Sequence, residues 1–545
     1  MKKRYSVIAL LSLALVIGLI LWKVDTENVN LEKGNEDEFV IATHYFADEW
    51  PINFWNAEWD NLENDLKQIR QDGFNTIILV VPWREFQPGI QPVRYDETCL
   101  KRLEEIIKMA DKQDLDVQLR LGYINDFGGE SNSTDRFYDV VGDAYVQEAW
   151  MDYAKTVYSR CKKYSNFKGG FITWEDFWHN YALVDYVGGK SESLSFVQKH
   201  RFDKWIEERY TLEEFNDKYA TNFENYSSIY VPINEDSYAI EWFQFIDEFT
   251  IKLLQRTQEV FPGLSMEVRT DYDPVGTHSG KVFFNHQSTW PCVGGDYTAI
   301  MYKPSQGANG KDSLSSVEAI DNLNKWLENI YSNNGKKPLY VEQFLFVDNT
   351  PGYYDGSIIQ KEEMPDYLVK SAEVLKKYAY GYGVWVYKDY ANNLLYNPQF
   401  ALGVNGWEID GKVAIKKHNK SNVAKISAGS EIYQIIPFWH ASVGMSESYE
   451  FTMDYELENT GTVSVQIGTQ LQNVEVEGKG KLSLQFQKED DMTVKISSSS
   501  DIYIDNIKLY NFIQSQKMYD INNQELEYIE AIRELNKVLS EKQEG

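Results

Sequence analysis

Cysteine is scarce: Cys99, Cys161 and Cys292 are the only three in 545 residues. So sparse and odd a set argues against a disulfide framework, and the three read as small buried fillers. Histidine is scarce as well. Seven residues without HExxH or clustered spacing, together with the lack of any CxxC, give no case for a catalytic metal or other cofactor. No glycine-rich loop follows the first strand-like run, which removes the phosphate cradle of a dinucleotide-binding sheet. Positive charge falls well short of negative. With 54 Lys and Arg against 83 Asp and Glu, the net charge of -29 makes nucleic acid and anionic membrane surfaces poor partners, because the Coulomb term opposes both. Sequence repeats and low-complexity linkers are missing, so the parts of the chain are expected to touch.

Long apolar runs are missing too, with one exception at the start. MKKRYSVIALLSLALVIGLILWK carries Lys2, Lys3 and Arg4 and then an uncharged stretch from Tyr5 to Trp22. Eighteen residues at a rise of ~1.5 Å nearly cross a hydrocarbon core, and no small-x-small cleavage site follows Trp22. Residues 1–36 therefore read as an uncleaved signal anchor and short linker, basic end inside. The rest of the chain would lie outside the cytoplasm at the cell membrane; a cleaved signal, giving a secreted protein, is the other reading.

What the chain has in excess is aromatic surface. Aromatics make up 14% of the residues, including 15 Trp and 37 Tyr, which suits stacking on flat apolar faces such as sugar rings, although aromatic-rich cores share this property. Over residues 37–393, strand-like apolar runs alternate with amphipathic helices. The runs are FVIATHYF, NTIILVVPW, DVQLRLGY, GGFITWE, LSMEVRTDY, YTAIMY, LYVEQF and GYGVWVY. Leu62, Leu66 and Ile69, then Leu100, Leu103, Ile106 and Ile107, fall on single helix faces. Eight strands with intervening helices predict an α/β fold, a (β/α)8 TIM barrel with its reactive groups at the carboxyl ends of the strands. An open doubly wound sheet is the competing architecture.

Near Asn393 the texture changes. Short alternating strands such as KVAIKKH, SYEFTMDYEL, GTVSVQIGT and DIYIDNIKLY predict an all-β sandwich of jelly-roll type over residues 394–513. Residues 514–545 carry Leu526, Ile529, Ile532, Leu535 and Leu539 as one apolar stripe on a charged helix, which predicts docking on the protein's own surface.

Two acidic residues stand at the ends of apolar runs, Glu175 in GGFITWEDFW and Glu342 in PLYVEQF. Cleaving a glycosidic bond with retention takes two carboxyl groups about 5 to 5.5 Å apart, one to attack the anomeric carbon and one to protonate the departing oxygen. A barrel brings the tips of its fourth and seventh strands together across its mouth. Glu342 would be the nucleophile, kept ionised by hydrogen bonds. Glu175 would be the acid and then the base, its pKa raised by Trp174, Trp178 and the other carboxylate. Either residue taken alone also reads as a solvated strand-end carboxylate.

On these residues the region from Glu38 to Asn393 resembles the clan A glycoside hydrolases. The resemblance implies the acid/base after the fourth strand, at Glu175, and the nucleophile after the seventh, at Glu342. It further implies a tryptophan floor to the sugar site, at Trp385 in GYGVWVY, and a tyrosine hydrogen-bonded to the nucleophile, at Tyr302 in IMYKP. The stretch FDKWIEERYTLEEFNDKYATNFENYSSIYVP is similar to the corresponding segment of family-42 β-galactosidases, and a cellulase-like relationship also fits. One departure stands out: clan A members usually have Asn before the acid/base, binding the sugar 2-hydroxyl, and this chain has Trp174. Asn125 or His179 would then supply the donor. The later domain resembles carbohydrate-binding modules through Asn397, Pro398, Phe400, Gly403 and Trp407 at its start and Asp505 at its end. These mark the fold more than a ligand site, and the resemblance implies a structural calcium near Asp505. Trp439 and Tyr433 would form a sugar platform.

Other strand-end polar residues are candidates for the cleft: His44, Trp83, Arg84, Asp126, Asp176 and Asp271. Arg120, within a barrel strand, needs a carboxylate partner to be buried, either by orienting Glu342 or in a structural ion pair. The expected function is retaining hydrolysis of β-glycosidic bonds in a cell-surface or extracellular polysaccharide or oligosaccharide. An exo-acting β-galactosidase-like enzyme, a glycan-binding surface protein with a degenerate barrel, and a scaffold acting through the terminal helix stay open beside it.

Overall fold

The computed structural model describes residues 38–59, 61–122, 136–173, 180–181, 183–184, 190–270, 273–277, 280–306, 313–347, 358–418, 421–436, 447–490 and 492–541. Residues 39–541 form one compact unit. The basic and apolar stretch before Glu38 lies outside the described residues; among those described, no helix is long and apolar enough to cross a membrane.

Eight parallel strands make the barrel: Val40–His44, Thr76–Pro82, Asp116–Gly122, Phe167–Ile172, Ser265–Met266, Thr298–Tyr302, Leu339–Phe344 and Ala379–Val384. They are hereafter numbered first to eighth. Each falls within one of the eight apolar runs of the sequence or overlaps it. In space the order is sixth, seventh, eighth, first, second, third, fourth, fifth, and a parallel bridge between Glu267 and Ala299 joins the fifth to the sixth. The second strand is buried along its whole length, as a parallel strand covered on both faces must be. Capping fixes several helix starts: Asp96 accepts from the Thr98 and Cys99 amides, and Ser315 forms a capping box with Glu318.

The lumen is filled in layers. Ala42, Ile78, Phe171, Tyr297, Ala299 and Tyr340 form a closed apolar cluster, the lower layer. Strand alternation then directs the next inward residues, among them His44, Arg120 and Glu342, to the layer above. The eighth strand approaches the seventh closely there. A Cβ added at Gly383 would lie 2.6 Å from the Glu342 carbonyl oxygen, so only glycine fits.

After the eighth strand the chain leaves the barrel and builds two five-stranded antiparallel sheets between Glu408 and Tyr510. Strict burial alternation, as along Gly461–Ile467, turns Val463, Val465, Ile496, Ile504, Phe451 and Trp407 into one core. Asn397 is buried; its Nδ2 donates to the Gly403 and Asn405 carbonyls, and the Trp407 indole donates to the Asn397 carbonyl. The opening residues of this region thus build the fold. The sandwich also grips the barrel. Lys508 Nζ lies 3.0 Å from both Asp48 Oδ2 and Glu49 Oε1, in the loop after the first strand, and the Asn397 amide donates to Asn56 Oδ1 at 3.0 Å.

The chain then returns. Helix Ile529–Ser540 packs against helix Met364–Tyr378 and the first strand, with Ile532, Leu535 and Leu539 buried. It occupies the place of the eighth barrel helix, so the sandwich is inserted between the eighth strand and its own helix. The apolar stripe therefore docks on the protein itself. Arg533 Nε donates to Asp72 Oδ1 at 2.8 Å; Asp72 Oδ2 accepts from the hydroxyls of Tyr387 and Tyr519 at 2.7 and 3.0 Å, and Asn536 Nδ2 donates to the Asp72 carbonyl. Replacing Arg533 by Ala leaves the buried Asp72 without its cation. The expected loss is about 1.5–3 kcal/mol, the scale of a hydrogen bond to a charged group, measured by urea unfolding.

Cys99, Cys161 and Cys292 are all free and buried, as expected of fillers.

Candidate active site

The upper lumen is polar although it is closed off from solvent. Glu342, on the seventh strand, is fully buried, and its Oε2 lies 2.8 Å from Nε2 of the buried His44 at the end of the first strand. The same nitrogen is 3.0 Å from the Glu342 backbone carbonyl. A carbonyl oxygen and a carboxylate oxygen only accept, so with Glu342 ionised His44 carries its hydrogen on Nε2 and donates to both. The imidazole stands edge-on to Trp385 with centroids 4.8 Å apart, and Trp385, just past the eighth strand, is 7% exposed.

Arg120 enters from the third strand, fully buried. Its Nη2 donates to Glu267 Oε2 and to Thr173 Oγ1, each at 2.9 Å, and Thr173 Oγ1 donates to the same Glu267 oxygen at 2.9 Å. The guanidinium carbon lies 5.6 Å from the centroid of the Trp385 ring, within cation–π range. Burial pushes the Glu267 carboxyl up to about 7; Arg120 pulls against that shift and the neighbouring Glu342 adds to it. Three of the residues singled out in the sequence, His44, Glu342 and Trp385, are thus in direct contact, and Arg120 joins them through Trp385. Among the described residues it forms an ion pair with Glu267.

Glu267 and Thr173 were missed by the sequence reading. Glu267 interrupts the apolar run LSMEV as Glu342 interrupts LYVEQ, and that shared signature is the signal that identifies it.

Tyr302 and Trp83 are placed elsewhere. The Tyr302 ring stacks on Phe344, which stacks on Tyr367 of helix Met364–Tyr378, so Tyr302 faces the helix layer. The hydrogen bond to Glu342 that the resemblance implied for Tyr302 is made by His44. Trp83 begins the short helix after the second strand and is fully buried. It packs edge-on to Trp150 and beside Tyr153, with the Arg136 guanidinium over its ring, and its indole donates to Gln87. Those contacts belong to the packing of helix on barrel rather than to a cleft, because the side chain just past a strand end turned outward. Arg84 is buried next to it.

Glu175 lies outside the described residues, as do Asn125, Asp126, Trp174, Asp176, Trp178, His179, Asp271 and Trp439. The chain on either side of residues 174–179 is firmly held. Thr173 is tied to Arg120 and Glu267, Asn180 Oδ1 accepts from His200 Nε2 at 3.1 Å, and Tyr181 donates to the buried Asp247 at 2.8 Å. In the sandwich, Tyr433 is half-buried with Lys495 Nζ 5.7 Å from its ring centre. Asp505 stands opposite Asp454 on the neighbouring strand and accepts the Asn506 amide at 2.7 Å. Among the described residues no group of three His, Cys, Asp or Glu side chains converges to hold a metal ion.

No family model matches the sequence, and no curated protein matches it. Among solved structures it is similar to a GH5_18 protein from Bifidobacterium longum subsp. longum, at 14% identity and TM-score 0.43, covering 64% of this chain and 70% of that one. It is also similar to an exo-beta-1,4-mannosidase from Opitutaceae bacterium strain TAV5, at 16% identity and TM-score 0.40, over 65% of this chain and 53% of that one. A third is the beta-galactosidase from the psychrophilic Marinomonas ef1, at 11% identity and TM-score 0.42, over 64% and 54%. These neighbours are glycoside hydrolases; at such identities and TM-scores, the activity of this chain has to be argued from its own side chains.

Proposed function

We propose that the protein is a retaining glycoside hydrolase acting on β-glycosidic bonds of a cell-surface or extracellular polysaccharide, with Glu342 as nucleophile and Glu175 as acid/base. The observation that carries this reading is the setting of Glu342: a buried carboxylate toward the carboxyl end of the seventh strand, held by the imidazole of His44, whose ring stands edge-on to Trp385. Burying a carboxylate is costly, and the imidazole N–H that meets this one holds it in a fixed orientation.

In the first step Glu342 attacks the anomeric carbon while the bond to the departing oxygen breaks and takes the Glu175 proton. In the second, water adds to the same carbon, Glu175 recovers a proton, and the Glu342 ester bond breaks. His44 fixes the attacking carboxylate and offsets its charge. Trp385 offers a flat face for the sugar ring. The uncharged stretch Tyr5–Trp22 would hold the enzyme at the outer face of the membrane, where such a polymer emerges.

Incubation with a fluorinated activated β-glycoside and peptide mass analysis tests the assignment. The expected adduct is one glycosyl unit on the peptide containing Leu339–Phe344, at Glu342. Labelling of a different residue, or no turnover by residues 34–545 across β-glucans, mannans and galactans, would falsify it.

A further inference from the structure

The layer above Phe171 and Tyr340 holds two carboxylates, Glu267 and Glu342, and one guanidinium, Arg120. A buried ion pair retained for stability tends to have its polar atoms satisfied, since an unmade hydrogen bond in the interior is costly. Glu267 does not follow that pattern. Its Oε2 takes both donors, from Arg120 and Thr173, while its fully buried Oε1 has no hydrogen-bond partner. The Glu267 backbone also bridges the barrel, its amide donating to Ile172 at 2.8 Å and its residue pairing with Ala299. Thr173 is two residues before Glu175, and its own amide is fixed to the Leu121 carbonyl at 3.0 Å.

We propose that Glu267 is a positioning residue of the glycosidic reaction: with Thr173 it fixes the Arg120 guanidinium over Trp385, which packs on His44, and so holds the imidazole that orients Glu342. The proposal rests on the glycosidase reading. Among the described residues, the charged groups facing Glu267 are Arg120 from the third strand and Glu342 from the seventh, with His44 of the first strand beyond Glu342. Their arrangement gives Glu267 a second task. In the free enzyme the negative charge on Glu342 and burial together favour a proton on Glu267 near neutral pH. When Glu342 becomes a neutral glycosyl ester, that repulsion ends, Glu267 releases its proton more readily, and Arg120 keeps a full counter-charge. The lumen's charge thus changes less through the cycle than the charge on Glu342 alone.

The test compares the wild type with Glu267→Gln, which keeps the shape and an acceptor oxygen but cannot ionise. On an aryl β-glycoside, kcat should fall about a hundredfold, the scale of a misplaced catalytic group, with KM changed less than threefold. The inflection of the wild-type kcat/KM profile near pH 7 should be lost. Stability gives a reading independent of turnover. The folded-state pKa of Glu267 is raised, so the folded protein holds a proton that the unfolded chain releases above its ordinary pKa; wild-type stability therefore declines as pH rises from about 4.5 to about 7. Between pH 5 and 8 the melting temperature of Glu267→Gln should drop less than that of the wild type. Should Glu267→Gln not fold, Thr173→Val removes the other group that fixes Arg120 and should lower kcat about tenfold with KM retained. A wild type that cleaves glycosides beside variants with unchanged kcat, KM and pH profile overturns the positioning role and leaves the glycosidase reading intact. A wild type inert toward every glycoside removes both, and its own inactivity distinguishes that case.

Discussion

Glu342→Gln should lower kcat/KM on an activated β-glycoside on the order of 10⁴-fold or more, the scale seen when an enzyme loses its nucleophile. The amide oxygen of Gln still accepts from His44 Nε2, so the hydrogen bond at 2.8 Å that ties the first strand to the seventh survives in form. Melting should therefore stay within a few degrees of the wild type, separating a chemical loss from a folding one. A second variant sharpens the result. Glu342→Gly opens room at the anomeric carbon, and added azide should restore turnover with a glycosyl azide of inverted configuration as product. Activity retained in Glu342→Gln would remove the nucleophile from this residue. Azide rescue that yields the retained configuration would mean that another carboxylate attacks.

Arg120→Met should cost about 3–5 kcal/mol in urea unfolding, because it leaves Glu267 buried without its cation. The penalty depends on pH in a definite direction. Without Arg120 the pull that lowers the Glu267 pKa is lost, so the folded state must keep Glu267 protonated to a higher pH. The gap between wild type and variant should accordingly be smaller at pH 5 than at pH 8. The double variant Arg120→Met/Glu267→Leu replaces the pair by apolar side chains of similar volume and should recover most of the stability while remaining catalytically impaired. An Arg120→Met protein as stable as the wild type at pH 8 would show that the pair contributes nothing to the fold.

The barrel was legible because each of its strands is a short apolar run bounded by turns, and eight such runs with helical stretches between them leave few architectures. The inserted position of the sandwich was not legible. The stripe of Ile529, Ile532, Leu535 and Leu539 shows that a helix must dock, but more than a hundred residues of sandwich separate it from the strand it follows in space. Strand alternation tells which residues share a face but not which face is the lumen. Tyr302 shares the face of Ile300, in the core behind the barrel, while Ala299 points inward. The hydrogen-bond partner of Glu342 could therefore be assigned only once the packing was known. Glu342 and Trp385 were readable as polar and aromatic ends of apolar strands; Glu267 carried the same mark and was passed over because its strand was read only as an element of the barrel.

The helix Ile529–Ser540 has a consequence for how the molecule is made. During synthesis, a chain with all eight strands and the entire sandwich can already pair its first and eighth strands, but Asp72 and Tyr382 still lack their partners Arg533 and Asn536. The cover is the helix Ile529–Ser540, far along the chain from the strand it packs on, so the first strand waits for it through the synthesis of the whole sandwich. Until then the groove that receives Ile532, Leu535 and Leu539 leaves its apolar side chains facing water.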